Sequence, residues 1–230
     1  MNMGEGISQE KTALQKKQKQ RARITNYFLE AAIKIIEEEG VEAVTIRKVA
    51  DIAGFNSATL YNYFDDLQHL LFFASMTYLQ EYIDGLPSYI KHVENSEDLY
   101  LKIWNCFIDY SFLRPNIYYT LFFSDIKCDM DTYVAQYYSL YPLDVKRFPK
   151  DVQSMLKNSS IRQRSQVLID QCVDEGFVKE EAGPAIVDIT TSVYENMLMQ
   201  VKRNSILPGV ARELCMKYVN TIYQGLKGFV

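Results

Sequence analysis

"TIRKVADIAGFNSATLYNYFDDLQHLL", residues 45–71, decides the fold. At about 100° per residue its first part sets Ile46, Val49, Ala50 and Ala53 on one stripe, with Arg47, Lys48 and Asp51 facing out. Thr45 suits the N-cap of that short helix, and Gly54 interrupts it. Asn56 suits the cap of a second helix, on which Leu60 and Phe64, four residues apart, share an inward face. Asn62 points away from them, between Ala58 and Thr59, while Tyr61 and Tyr63 lie on the flanks. Two short helices joined by a tight turn predict a helix-turn-helix, with a small polar outer face on its second helix.

That face has the properties a major-groove reader needs. The groove is about 12 Å wide, so a small residue such as Ala58 lets the backbone approach. Asn62 offers a donor and an acceptor to an adenine edge. Thr59, Tyr61 and Tyr63 carry hydroxyls for phosphates on the groove walls. The helix starts at Thr45 and Asn56 bring free amides and a positive dipole end, and Arg47 and Lys48 add charge nearby. No Lys or Arg lies in residues 53–64, so reading there depends on fit and hydrogen bonds. The competing interpretation is an ordinary amphipathic turn with buried aromatics, which occurs in many helical proteins.

Outward from this stretch, nearly every segment from residue 21 has helical spacing. Ile24, Phe28, Ala31, Ala32, Ile35 and Ile36 form one stripe before Gly40, which suits a left-handed C-terminal cap. Asp65 with Gln68 has the pattern of a capping box for a longer helix reaching about Gly85–Pro87. Further helices are expected from Ser96 to before Pro115, in "NIYYTLFF" and "DTYVAQYYSLY", and in "IRQRSQVLIDQCVDEG" up to Gly176. The last two begin near a proline: "PAIVDITTSVYENMLMQVKR" and "PGVARELCMKYVNTIYQGLK". Pro142 and Pro149 bracket a break, and no strand is expected. The fold class is therefore all-α. Its domains are a flexible basic arm over residues 1–20, a helix-turn-helix domain over 21–71 and a larger helical domain over 72–230.

Composition narrows the function classes. The 230 residues are 48% hydrophobic and 23% charged, which suits a globular protein, and the net charge is -4. That charge excludes a uniformly basic surface and leaves room for a local basic patch. Lys11, Lys16, Lys17, Lys19, Arg21 and Arg23 face only Glu5 and Glu10 in the first 23 residues. Cys106, Cys128, Cys172 and Cys215 are scattered, without metal-ligand spacing, and are expected as small core hydrophobes in a reducing cytoplasm. No apolar run is long enough to span a membrane, and no signal peptide is recognisable. The two histidines, His69 and His92, fall in different predicted helices, and no HExxH, GxSxG, P-loop or GxGxxG is present. Neither catalysis, nor a metal, nor a cofactor is expected.

Taken together, Thr45, Ile46, Val49, Ala50, Ala53, Gly54, Phe55, the Leu60–Tyr61 pair, Tyr63, Phe64 and Leu70 resemble the tetracycline-repressor (TetR) family of bacterial transcriptional regulators. The resemblance covers about residues 24–71. It implies that Thr45 lies near the DNA backbone, that Ser57, Ala58 and Asn62 face bases, and that Thr59, Tyr61 and Tyr63 contact phosphates. Where the family usually has a phosphate-binding lysine, this chain has Leu67, preceded by Asp65 and Asp66. The basic arm is a candidate replacement for that charge.

The resemblance further implies an effector cavity in the larger domain. Dense aromatics there suggest apolar walls with hydroxyl handles, and the candidates are Tyr78, Tyr82, Trp104, Phe107, Tyr110, Phe123 and Tyr137. An aromatic or moderately apolar effector would suit them. The last two helices carry apolar stripes, Ile186, Ile189, Val193, Met197 and Val201 on one, and Val210, Leu214, Tyr218 and Ile222 on the other. By resemblance these form a homodimer interface, which would space two reading heads for a palindromic operator on double-stranded DNA. The expected function is a ligand-responsive regulator, a repressor released by a small-molecule effector. The alternative is a helical dimeric sensing or interaction protein without specific DNA binding.

Overall fold

The chain punctuates itself into helices with side-chain caps and glycines. The computed structural model describes the backbone of residues 3–123 and 130–228, with side-chain surroundings from Lys16 onward except at 18, 130 and 131. Among the described residues there are α-helices, short 3-10 turns and no strand. The helices are α1 Met3–Glu39, α2 Ile46–Ala53, α3 Ser57–Leu60, α4 Leu67–Tyr89, α5 Ser96–Leu113 and α6 Pro115–Phe123. They continue with α7 Met130–Leu140, α8 Lys150–Leu156, α9 Ile161–Asp174, α10 Gly183–Lys202 and α11 Pro208–Leu226.

Several boundaries differ from the expectation, each for a local reason. Residues 3–20, expected as a flexible arm, continue α1 without a break. The run is rich in Lys and Gln, good helix formers, and contains no proline to stop it. Gly40 does not adopt the left-handed helical cap: its φ of 91° and ψ of 161° lie in a region open essentially to glycine alone. Asp66, rather than Asp65, caps α4, its Oδ1 accepting from the His69 amide at 2.9 Å. Asn95 caps α5, accepting from the Asp98 amide at 2.9 Å. The 142–149 break holds a 3-10 turn, and α8 follows Pro149 as a helix that periodicity does not reveal. Pro87 sits inside the last part of α4. The end of α9 matches expectation, with Gly176 at φ 79°.

The chain divides into two compact units. The first comprises α1 to α3, α4 as far as Met76, and α7; the second comprises α4 from Thr77, then α5, α6 and α8 to α11. The expected boundary at 71/72 therefore falls inside α4, and α7, expected in the larger domain, belongs with the first unit. Phe28, fully buried, centres the first core, packed against Phe55, Tyr63 and Phe64 with ring centroids 5.1, 5.7 and 6.3 Å away. The predicted stripe residues Ala31, Ala32, Ile35, Ile36, Val49, Ala50, Leu60 and Phe64 are buried around it. In the second unit Tyr82, Tyr100, Phe112, Tyr118, Tyr194 and Tyr223 are the large fully buried side chains. Cys106, Cys172 and Cys215 are buried and free, and burial pushes the Cys106 and Cys215 thiols up to about 12, so they act as small hydrophobes. Cys128 lies outside the described residues.

Candidate functional site

The α2–α3 pair is built by two caps and one glycine. Thr45 Oγ1 accepts from the Lys48 amide at 3.3 Å and starts α2. Gly54, at φ 77° and ψ 27°, ends it in the left-handed conformation, while the Phe55 amide returns to the Ala50 carbonyl at 2.9 Å. Asn56 Oδ1 then accepts from both the Thr59 amide, at 2.7 Å, and the Thr59 hydroxyl, at 2.9 Å. The regular α-helix stops at Leu60, shorter than expected, but amide bonds from Asn62 to Thr59 and from Phe64 to Leu60 carry the turn to Phe64. Leu60 and Phe64 are thereby held inward, and Asn56, Ala58, Tyr61 and Asn62 are exposed. Ser57, Thr59 and Tyr63 are half-buried.

The charges nearby are partly committed. Lys48 Nζ pairs with Glu39 at 2.5 Å, and exposed Arg47 lies 3.9 Å from Asp51. The Thr59 hydroxyl already donates its one proton to Asn56, so it has none left to offer a phosphate in this arrangement. Arg21 of α1 lies 5.2 Å from the Tyr63 ring centroid, and Arg23 Nε bonds to the Tyr27 hydroxyl at 3.2 Å. Lys16, Lys17 and Lys19 are exposed along the same helix. The side chains of Glu5, Glu10 and Lys11 lie outside the described residues.

Beside the α2–α3 pair, α4 and α7 form a feature that sequence reasoning missed. His69 is 3% exposed and stacks on Tyr133 at 4.2 Å between centroids. Its Nδ1 accepts from the Asp65 amide at 3.1 Å, while Nε2 faces Gln136 without a well-formed hydrogen bond. Burial holds the imidazole below its ordinary pKa, although Asp65 and Asp66 pull the other way. Tyr137 packs edge-on against Phe73, and the Tyr141 hydroxyl bonds to Asn26. Tyr137 is therefore a packing residue of the first unit, not part of the cavity proposed from sequence. Tyr61, Asn62 and Tyr63 rim a polar hollow of about 340 Å³ with Arg21, Asp65, His69 and Gln136.

In the second unit a cavity of about 30 Å³ is lined by Tyr82, Ile103, Trp104, Phe107, Met155, Ile161, Arg164, Ser165 and Leu168. Of the sequence candidates, Tyr82, Trp104 and Phe107 meet there. Tyr78, Tyr110 and Phe123 are not among its walls: Tyr78 lies under Arg114, Tyr110 sits edge-on to Tyr82 and leans on Gly85, and Phe123 packs toward Tyr194. Sequence reasoning missed Arg164 and Ser165, yet a signal exists. They fall on the apolar stripe of α9 that runs through Ile161, Leu168, Ile169 and Cys172.

The proposed dimer stripes are split by burial. Ile186, Met197 and Val201 are buried within the subunit, although Met197 lines an open groove with Val193, Leu214 and Tyr218. The inward faces of the last two helices instead hold Val187, Thr190, Tyr194 and Leu198 on α10, and Ala211, Cys215, Val219 and Tyr223 on α11. Ile189, Val210 and Tyr218 are exposed, and Val193, Leu214 and Ile222 half-buried, so one apolar face remains open on this pair. Among the described residues no helix is long and apolar enough to cross a membrane, and no group of three or more His, Cys, Asp or Glu is placed to hold a metal.

Comparison with known proteins agrees with the geometry of the first unit. Residues 28–72 match the model of the bacterial regulatory proteins of the tetR family. No curated protein matches the chain significantly. Solved structures that share its fold include two TetR-family regulators. One is Thermus thermophilus FadR, a TetR-family transcriptional repressor in complex with lauroyl-CoA, at 11% identity and a TM-score of 0.58, covering 88% of this chain and 94% of its own. The other is the TetR-family transcriptional regulator PfmR, also from Thermus thermophilus, at 17% identity and a TM-score of 0.53, covering 88% and 95%. Residues 28–72 thus match the tetR-family model, and the chain has an all-α fold of the kind seen in those two structures.

Proposed function

We propose that this chain is a ligand-responsive DNA-binding transcriptional regulator that acts as a homodimer on a palindromic operator, in the cytoplasm, as a repressor released by a small-molecule effector. The observation that carries the reading is the α2–α3 unit. Leu60 and Phe64 are buried, Ala58 and Asn62 are exposed opposite them, and the whole lies inside the stretch that matches the tetR family. Base reading then falls to Ser57, Ala58 and Asn62, and backbone contact to Thr45, Asn56, Tyr61, Tyr63 and Arg47. The exposed apolar face of α10 and α11 supports pairing with a second copy, which would space two reading heads about one DNA turn apart.

Response to ligand requires that DNA and effector favour different conformations of one protein. α4 is suited to connect the two events, because it contributes His69 to the first unit and Tyr82 to the cavity of the second. Selection of bound sequences from a random DNA pool tests the reading, with a two-fold symmetric site as the expected product. Removing residues 1–20 is expected to weaken binding and flatten its salt dependence, since each lost phosphate contact reduces the slope.

A helical sensing or interaction protein without specific DNA binding is favoured by two observations. Lys48 is paired with Glu39, and Leu67 stands where a phosphate-binding lysine would be expected. No enriched sequence and no mobility shift at low salt, from an intact dimer, would establish that reading instead.

A further inference from the structure

Arg164 is the group in the second unit with the least satisfactory surroundings. It is 7% exposed. Its Nε donates to the Asn158 carbonyl at 2.8 Å, and Nη1 is buried without a hydrogen-bond partner. The guanidinium lies 5.6 Å from the Phe122 ring centroid, and no carboxylate pairs with it among the described residues. The guanidinium is a rigid fork of five N–H donors that accepts no hydrogen bond, so it needs acceptors around it. A buried cation without a counter-charge carries a desolvation penalty. Such a residue is a poor choice for packing alone, since an apolar side chain of similar volume would fill the space at lower cost.

The remaining walls say what would lie beside the charge. Tyr82, Ile103, Trp104, Phe107, Met155 and Leu168 are apolar or aromatic at the cavity surface. Ser165 Oγ, near the Tyr100 hydroxyl, makes no well-formed hydrogen bond and is a second polar group within the same walls. We propose that this cavity binds a small molecule with a slender apolar body and an anionic head, the negative charge pairing with Arg164. The inference rests on the reading of the second unit as the effector-binding part and names the chemical class of that effector. A carboxylate or a phosphate oxygen fits the guanidinium fork equally well, and either would complete the donors that the fold leaves open. The space of about 30 Å³ holds roughly one water, so the ligand enters by displacing side chains. Met155 is the most adaptable of the walls, with three rotatable bonds.

The charge also sets selectivity. A neutral ligand of the same shape would bury its apolar body equally well and leave the guanidinium unpaired. The acid should therefore bind at least about tenfold more tightly than its amide, the scale of one charge-assisted hydrogen bond. Trp104 is the only tryptophan in the chain and lines the cavity, so its fluorescence reports occupation directly.

The test titrates the full-length, DNA-free protein with octanoate and phenylpropionate, their amides, and octanoyl-CoA, following Trp104 emission and calorimetry. The acids, or the thioester through its phosphates, should bind more tightly than the amides. Arg164→Met should remove that preference, bringing the acids to the affinity of the amides. Arg164→Lys, which keeps a charge in case the methionine variant folds poorly, should retain part of it. Binding of the thioester alone, with the same dependence on Arg164, assigns the anion to phosphate. Amides binding as well as acids, acids unaffected by Arg164→Met, or no binding of any anion to the folded wild type would overturn the proposal. Release of DNA is measured separately. Acids that bind through Arg164 without releasing DNA would leave the inference standing and sink the ligand-responsive reading. A neutral compound that releases DNA where the anions do not bind would do the reverse.

Discussion

The helix-turn-helix and the cavity of the second unit are built in opposite ways. The outer face of the α2–α3 pair comes from consecutive residues, Asn56 to Tyr63, whose orientation follows from two caps, one glycine and the pitch of a helix. The cavity draws on Tyr82 from α4, Trp104 from α5 and Arg164 from α9, and none of these is near another in sequence. Proximity along the chain makes a face predictable, whereas proximity created by packing does not.

The largest expected effect tests whether the two units are separately built. Phe28→Ala removes the side chain at the centre of the first core and should destabilise that unit by about 3–5 kcal/mol. DNA binding should vanish while Trp104 emission, reporting on the second unit, persists to its own melting transition. A single shared transition displaced for both probes would break the distinction.

A smaller effect concerns chemistry at the outer face. Asn62→Ala should cost about 1–3 kcal/mol at the selected operator, with little change on random DNA, because it removes base reading and no charge. Equal loss on both DNAs, measured by titration at fixed salt, would assign Asn62 to the backbone. Thr45→Ala should lower thermal stability by about 1 kcal/mol through loss of the α2 cap, and a thermal melt followed by circular dichroism checks this.

The smallest effect belongs to His69. Burial disfavours its protonated form in the folded state, so its pKa there is below the unfolded value. The unfolded chain then binds protons more readily as pH falls through about 6.5, and the contribution present above that pH is lost below it. Stability measured between pH 7 and pH 5 should fall less steeply for His69→Asn, which retains an acceptor for the Asp65 amide. An unchanged slope would show that the carboxylates dominate.

Much of the first unit is legible in the sequence because each step is local. Gly54 and the caps Thr45 and Asn56 lie where the spacing puts them, and Leu60 and Phe64 are buried as their four-residue interval implies. The departures are also local in cause. Asp65 and Asp66 are adjacent and chemically alike, so sequence could not say which one caps α4. The helical continuation of α1 through residues 3–20 is obscured by its lack of an apolar stripe. In the second unit, aromatic density alone does not separate Trp104 and Phe107, which line the cavity, from Tyr110 and Phe123, which do not.

What the sequence by itself determined was the all-α class, the helix-turn-helix and the polarity of its two faces, because helical periodicity and capping act over a few residues. Only the tertiary structure decided that α7 packs with the first unit, which side of α10 and α11 stays open, and that Arg164 is buried with no carboxylate paired to it among the described residues. Those outcomes depend on which helix faces meet. A charge on a helix is ordinary until the surrounding elements remove the water that would have solvated it.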